Sequence, residues 1–127
     1  CVGVAGRRLE LLEKFKEQAP EQIEIQELDV TRADAVDKLR QLIGKLGGMD
    51  LFLLSTGIGS QNRALNPEIE LATVNTNAIG FTRMVTAAFN YFREEGKGHL
   101  AVISSIAGTK GLGAAPAYSA TKRFHYT

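Results

Sequence analysis

Cysteine is almost absent from this chain. Cys1 is the only one, which excludes an internal disulfide and suits a reducing compartment. Long apolar runs are missing as well, and none approaches the roughly 20 residues that a membrane-spanning helix needs. Neither sign of charge is in surplus. A net charge of +1 with scattered basic residues gives no reason to expect nucleic acid or an anionic membrane as a partner. Histidine occurs at positions 99 and 125, and neither has metal-ligand spacing to the other or to Cys1, so no metal site is expected. The absence of a Gly-x-Ser-x-Gly turn removes a serine hydrolase. With no secretory segment and no Asn-x-Ser/Thr sequence in view, a cytoplasmic protein is expected.

What is present reads as one globular unit. The 127 residues are 44% hydrophobic and 23% charged, without repeats, low-complexity tracts or linkers. Strand-like runs at 1–5, 23–28, 50–54 and 100–104 alternate with helical stretches, which predicts an α/β fold of βαβ units around a parallel sheet. The later runs are nearly continuous in apolar residues, as strands buried on both faces are. The first helix is expected over 8–18, with Leu9, Leu12 and Phe15 toward the sheet and Pro20 beyond its end. The second is expected to start from Thr31 as N-cap with Asp34 three residues on. It places Ala35, Leu39, Leu42, Ile43 and Leu46 on one face, and Gly47 closes it. Asn66-Pro67-Glu68 opens a further helical stretch that runs to Phe92, before Gly96. Phe81, Val85, Ala88 and Phe92 form its apolar stripe, widened by Met84, Ala87 and Tyr91.

Chemistry concentrates near the C-terminal end. Tyr118-x-x-x-Lys122 on a helix puts a phenol and an ammonium on one face. An ammonium held beside a phenol favours the phenolate, which suits a tyrosine to general acid or base work. Ser105 ends a strand-like run thirteen residues before the tyrosine, where its hydroxyl would hold a substrate oxygen. Taken alone, the pair is equally a helix-surface tyrosine and lysine at chance spacing.

The surroundings decide between these. Ser104-Ser-Ile-Ala-Gly108, a glycine-bearing stretch, then Ala117-Tyr-Ser-Ala-Thr-Lys122 closely resemble the active-site segment of the short-chain dehydrogenases/reductases. Ala5-Gly-Arg-Arg8, Leu28-Asp-Val-Thr31 and Asn77-Ala-Ile-Gly80 match the same family in the same order. The resemblance implies a Rossmann-type, doubly wound parallel sheet with helices on both faces, of which residues 1–127 form a single partial NAD(P)-binding domain. Cys1 is not an initiator methionine, and residues 1–5 read as a strand in progress. The family's first strand with its glycine motif, and its C-terminal strands, are therefore expected outside this span. Gly3 and Gly6 lie within or at the end of a strand and are not that motif. By themselves these residues are expected to be inactive and aggregation-prone.

The resemblance also implies roles. Ser105 orients the substrate oxygen, Tyr118 gives or takes its proton, and Lys122 assists the tyrosine and binds the nicotinamide ribose. Asn77 distorts its helix and helps hold a water linking Lys122 to solvent. Asn77 is preferred to Asn75 because only Asn77 has a glycine three residues on. Ser104 is expected to support neighbouring backbone, and Gly108, Gly111 and Gly113 to give backbone flexibility toward the substrate. Arg7, with Arg8 second, replaces the acidic residue that NAD users place on the ribose 2′-hydroxyl, so NADP is the expected cofactor over NAD. Asp29 and Val30 would meet the adenine, and Gly57 would let the backbone approach the ribose. Ser55-Thr-Gly-Ile-Gly59 departs from the family's Asn-Asn-Ala-Gly, with Leu54 and Ser55 in place of both asparagines, so Ser55 fills only part of their bracing role.

The expected function is an NADP-preferring oxidoreductase moving a hydride between nicotinamide and a small carbonyl or alcohol. Two alternatives stand beside it: a catalytically silent nucleotide-binding regulatory protein on the same fold, and a sugar-nucleotide epimerase or dehydratase. The resemblance further implies a homodimer or homotetramer at full length, joined through the helix of the Phe81–Phe92 stripe and the tyrosine's helix.

Overall fold

The computed structural model describes residues 1–59, 61–105, 108 and 113–125. Strands and helices alternate among them: β1 (Val2–Gly6), α1 (Leu9–Glu17), β2 (Ile23–Glu27), α2 (Ala35–Leu46), β3 (Leu51–Leu54), α3 (Pro67–Val74), α4 (Phe81–Glu95), β4 (His99–Val102) and α5 (Pro116–Phe124). A π-helical turn, Asn75–Gly80, joins α3 to α4. No helix among the described residues is long and apolar enough to cross a membrane.

The pairing is parallel throughout, as the α/β reading requires. It forms two two-stranded sheets, β1–β2 and β3–β4. Val2 lies opposite Ile23 and Gly6 opposite Glu27; Leu51 lies opposite His99 and Leu54 opposite Val102. Alternation along β1 points residues 3 and 6 to opposite faces. A Cβ on Gly6 would stand 3.9 Å from Leu12 of α1, whereas one on Gly3 would stand 2.8 Å from Leu46 of α2. The first pair is therefore covered on both faces.

The second pair is not, which corrects the expectation of strands buried on both faces. Phe52 and Leu54 turn into the core, while Leu51 and Leu53 are 58% and 55% exposed. Helix α4 packs against β3 and β4, and no described element covers the face that Leu51 and Leu53 present. Leu28, Val30, Ala35, Leu39, Leu54 and Met84 form the central cluster, with Phe52, Phe81, Val85 and Val102 packed around it. This cluster ties the two sheets together through α2 and α4, and truncating Leu39 or Met84 to alanine is expected to cost about 2–5 kcal/mol.

Local signals set three of the helix ends. Gly47 and Gly96 close α2 and α4 with φ of +76° and +79°, the left-handed conformation that glycine adopts without a side-chain penalty. Asn66 accepts the Glu68 N–H at 3.0 Å, with Pro67 as the first residue of α3.

Two helix expectations are corrected. Only Leu12 of α1 is buried; Leu9 and Phe15 are exposed, because the two-stranded sheet beneath the helix receives one narrow stripe. Thr31 does not cap α2, which starts at Ala35 after Asp34 without any side-chain cap bond. The Asp29 carboxylate takes both the Thr31 N–H (2.9 Å) and its hydroxyl (2.7 Å), closing a local turn that holds the threonine away from the helix.

Candidate active site

The loop leaving β3 lies against α5, and this contact builds the site. A Cβ on Gly57 would stand 2.8 Å from the Lys122 ammonium nitrogen, and a Cβ on Gly59 would overlap the Tyr118 ring. Glycine at both positions lets the backbone approach α5 more closely than any other residue allows. A cleft of about 480 Å³ opens here, lined by Ser55, Gly57, Ile58, Ser104, Tyr118 and Lys122, with Ile103 beside them.

Helical spacing places Tyr118 and Lys122 together, with the ammonium 5.7 Å from the ring centroid. Lys122 is only 5% exposed. Among the described residues the ion pairs are Lys16–Glu24 and Arg40–Asp37, so no carboxylate pairs with this ammonium. A buried cation without a carboxylate is costly to keep for packing alone, and its position in a cleft wall leaves its donors available to a polar ligand.

Asn77 is fully buried at the centre of the π-helical turn. Its Oδ1 accepts the Ile58 N–H at 2.8 Å. Its Nδ2 donates to the Ile58 carbonyl at 2.7 Å and to the Thr121 hydroxyl at 3.1 Å. One amide thus bridges the β3 loop to α5, and Thr121 passes the bond on to the carbonyls of Ala117 and Tyr118. Helical irregularities of this kind recur at functional sites. Asn75 begins the same turn, and its N–H serves only as the C-terminal cap of α3.

The two serines separate clearly. Ser104 donates its hydroxyl to the Lys122 carbonyl at 3.0 Å, bracing the end of α5. Ser105 is half-buried in the loop after β4, and its carbonyl accepts the Gly108 N–H at 3.0 Å. The strand itself ends at Val102, two residues short of the expected boundary. Gly108 is buried, and a Cβ there would lie 2.7 Å from the Lys122 carbonyl carbon. Close approach of two backbones, rather than flexibility toward a substrate, is what this glycine provides. Gly113 meets nothing within 4 Å, and Ile106, Ala107 and Gly111 lie outside the described residues.

After the C-terminal end of β1, Arg7 and Arg8 are exposed between β1 and α1. Asp29 follows β2, and the Thr31 hydroxyl, together with its N–H and the charges of Arg7 and Arg32, holds the Asp29 carboxyl below its ordinary range against the opposing effect of burial. Val30 is a core residue whose side chain fills the space above Gly80. Its carbonyl accepts from Arg83 Nη1 at 2.5 Å.

Sequence reasoning missed three contributors. His125 brings Nε2 to 2.6 Å from the Asn77 carbonyl and stacks on Phe81 at 4.2 Å. Because a carbonyl only accepts, Nε2 carries the proton, and the buried Nδ1 has no partner among the described residues. Asn62 and Glu70 close the far side of the loop around α5. No local motif marks these three, since each acts on a residue far away in sequence.

The chain matches the short chain dehydrogenase family over residues 1–125, and it belongs to that family. It is 37% identical over 129 residues to an uncharacterised oxidoreductase of Myxococcus xanthus, covering 97% of this chain and 51% of the relative. The chain thus spans about half the length of that curated relative. Among solved structures, serine dehydrogenase from Escherichia coli superposes with a TM-score of 0.86 at 26% identity, covering 98% of this chain and 59% of the other. The closed form of serine dehydrogenase complexed with NADP+ gives 0.87 at 26% identity, over 98% and 52% of the two chains.

Proposed function

We propose that the whole protein is an NADP-preferring dehydrogenase/reductase acting on a small carbonyl or alcohol, with residues 1–127 as part of one NAD(P)-binding domain. The observation that carries this reading is the buried, carboxylate-free Lys122 beside Tyr118 in a glycine-walled cleft. The glycine cradle at 57 and 59 and the available ammonium fit a nicotinamide ribose, and a serine dehydrogenase of the same fold is known with NADP+. When bound, the cofactor supplies the hydride.

The chain's own residues supply placement and proton handling. Tyr118 moves a proton at the substrate oxygen, and Ser105 orients that oxygen by hydrogen bonding. Lys122 lies beside the Tyr118 ring and holds the ribose hydroxyls. Asn77 fixes the β3 loop against α5, so that Gly57 and Tyr118 keep one spacing. Arg7 takes the 2′-phosphate with Arg8 behind it, guanidinium forks matching phosphate oxygens. Asp29 Oδ2 and the Val30 N–H face the adenine.

The silent regulatory reading gains nothing from a buried lysine facing a cleft, and the epimerase reading fits a longer serine–tyrosine separation than thirteen residues. Membership of the family supports a homodimer or homotetramer of the whole protein. The setting is the cytoplasm, in keeping with a lone cysteine.

The deciding experiment is Tyr118→Phe in the full-length protein. Turnover of aldehyde and ketone panels with NADPH should vanish while NADPH binding persists. Retention of most of the activity would rule out Tyr118 as the proton donor. Arg7→Ala should weaken NADPH and leave NADH nearly unchanged, and equal affinities for both cofactors in the parent protein would remove the NADP preference.

A further inference from the structure

Helix α5 carries Tyr118 in its first turn, yet its own sequence provides nothing to cap that turn. Ala115 at the N-cap has no side-chain acceptor, and Pro116 follows it as the first helical residue. The next N–H, that of Ala117, is one of the donors a helix start leaves unsatisfied. It is satisfied from elsewhere: Glu70 of α3 accepts it with Oε2 at 2.9 Å. The other carboxylate oxygen accepts from Asn62 Nδ2 at 2.9 Å.

Asn62 is itself a hub, buried to 4% exposure. Its N–H donates to the Ala114 carbonyl at 2.7 Å, its Oδ1 accepts the Asn66 N–H at 2.9 Å, and its Nδ2 also reaches the Asn66 carbonyl at 2.9 Å. The pair therefore ties together the loop after β3, the start of α3, and the chain on both sides of the α5 N-terminus. A carboxylate at that end of a helix is also favoured by the helix dipole.

We propose that Glu70, oriented by Asn62, is a positioning residue that sets where Tyr118 enters the cleft. This rests on the reading of Tyr118 as the proton donor. Further along α5, Thr121 bonds to Asn77, the Lys122 carbonyl accepts from Ser104, and His125 bonds to the Asn77 carbonyl. Loss of the Glu70 tie loosens the first turn, where Tyr118 sits, while Lys122 stays anchored. The effect therefore falls on proton transfer and spares cofactor binding.

Glu70→Gln discriminates this role from simple packing. A glutamine can offer its oxygen to Ala117 or to Asn62, but its amide then meets the other donor, so one bond is lost. Adding Asn62→Asp restores the contact with residue 70, the introduced amide donating to the new carboxylate while its oxygen still accepts from Ala117. The Asn62 bond to the Asn66 carbonyl is given up, but it lies at the start of α3 away from α5 and is read as a lower melting temperature.

In the full-length protein, Glu70→Gln should lower kcat about tenfold and leave the KM for NADPH within about twofold, as a small displacement of an acting group does. The double variant Asn62→Asp/Glu70→Gln should recover most of that kcat. Unchanged kcat in Glu70→Gln, or a folded double variant no faster than the single, overturns the proposal. If Glu70→Gln fails to fold, the double variant alone decides: near-parental kcat supports the pairing, and a folded but slow enzyme refutes it. Tyr118→Phe is run alongside, because an active phenylalanine variant sinks the functional reading itself, whatever the Glu70 variants do.

Discussion

A methyl group on Gly57 would stand 2.8 Å from the ammonium nitrogen of Lys122, inside contact distance. The same methyl would also lie 3.5 Å from Asn77 Oδ1, so the glycine is hemmed by two of the groups that build the cleft.

Gly57→Ala is therefore expected to push Lys122 from its place without disturbing the core. Displacements near 1 Å at a reacting centre cost on the order of 100-fold in rate, and kcat/KM should fall by about that order. Steady-state kinetics beside a thermal melt checks this. A variant with parental kcat/KM would show that Lys122 tolerates the shift.

Asn77→Ala removes the three side-chain bonds that join Ile58 and Thr121 to the π-helical turn. It leaves the half-buried Ile58 N–H and carbonyl without their partner, at up to about 1 kcal/mol for each. The melting temperature should drop by several degrees and turnover should be lost together with it. Asn77→Asp keeps the acceptor for the Ile58 N–H but sets a carboxylate oxygen against the Ile58 carbonyl, so it should be no better than alanine. A stable, active Asn77→Asp protein would contradict the donor role of Nδ2.

Stability should depend on pH through His125. Burial holds its imidazole below the ordinary value of 6.5 and the Lys122 charge adds to this, while the Asn77 carbonyl opposes it. As pH falls through 6.5 the unfolded chain takes up the proton before the folded one does, so the folded state loses stability from there downward. Asp29 acts in a separate window. Its carboxyl is held below 3.8, so its contribution is present above that pH and disappears as pH falls through and beneath it. Melting temperatures from about pH 7.5 to about pH 5 should therefore fall less steeply in His125→Leu than in the parent. Parallel slopes would remove His125 as the source.

Much of the site was legible because its signals are local. The Tyr118–Lys122 pair, the Asn77-x-x-Gly80 motif and the capping residues Asn66, Gly47 and Gly96 each depend on neighbours a turn away; Tyr118 and Lys122 line one cleft, Asn77 lies in the π-helical turn bonded to its loop, and the caps end their helices. The residues that escaped act over distance. Glu70 reaches Ala117 across 47 positions and His125 reaches Asn77 across 48, and neither carries a motif. Thr31 misled for a related reason: helix-capping statistics favour it, but the carboxylate two residues earlier captures it first. Exposure of Leu51 and Leu53 was also illegible, because an apolar run does not say how many of its faces have neighbours.

The polar character of these ties has a consequence for local opening. Ile58 to Asn77 spans 19 residues, Ser104 to Lys122 spans 18, and Asn77 to Thr121, Glu70 to Ala117 and Asn77 to His125 span 44 to 48. Leu39 and Met84 are as far apart in sequence, but they meet in the apolar cluster, whereas α5 contributes no residue to that cluster and is held largely by these polar ties. Helix α5 should thus detach as a cooperative unit at lower free energy than α2 and α4, which are rooted in the apolar cluster. Amide hydrogen exchange would reveal it as an earlier-exchanging segment, and equal protection of all three helices would refute it. On that ordering, local opening of α5 should dismantle the cleft before the apolar core is lost.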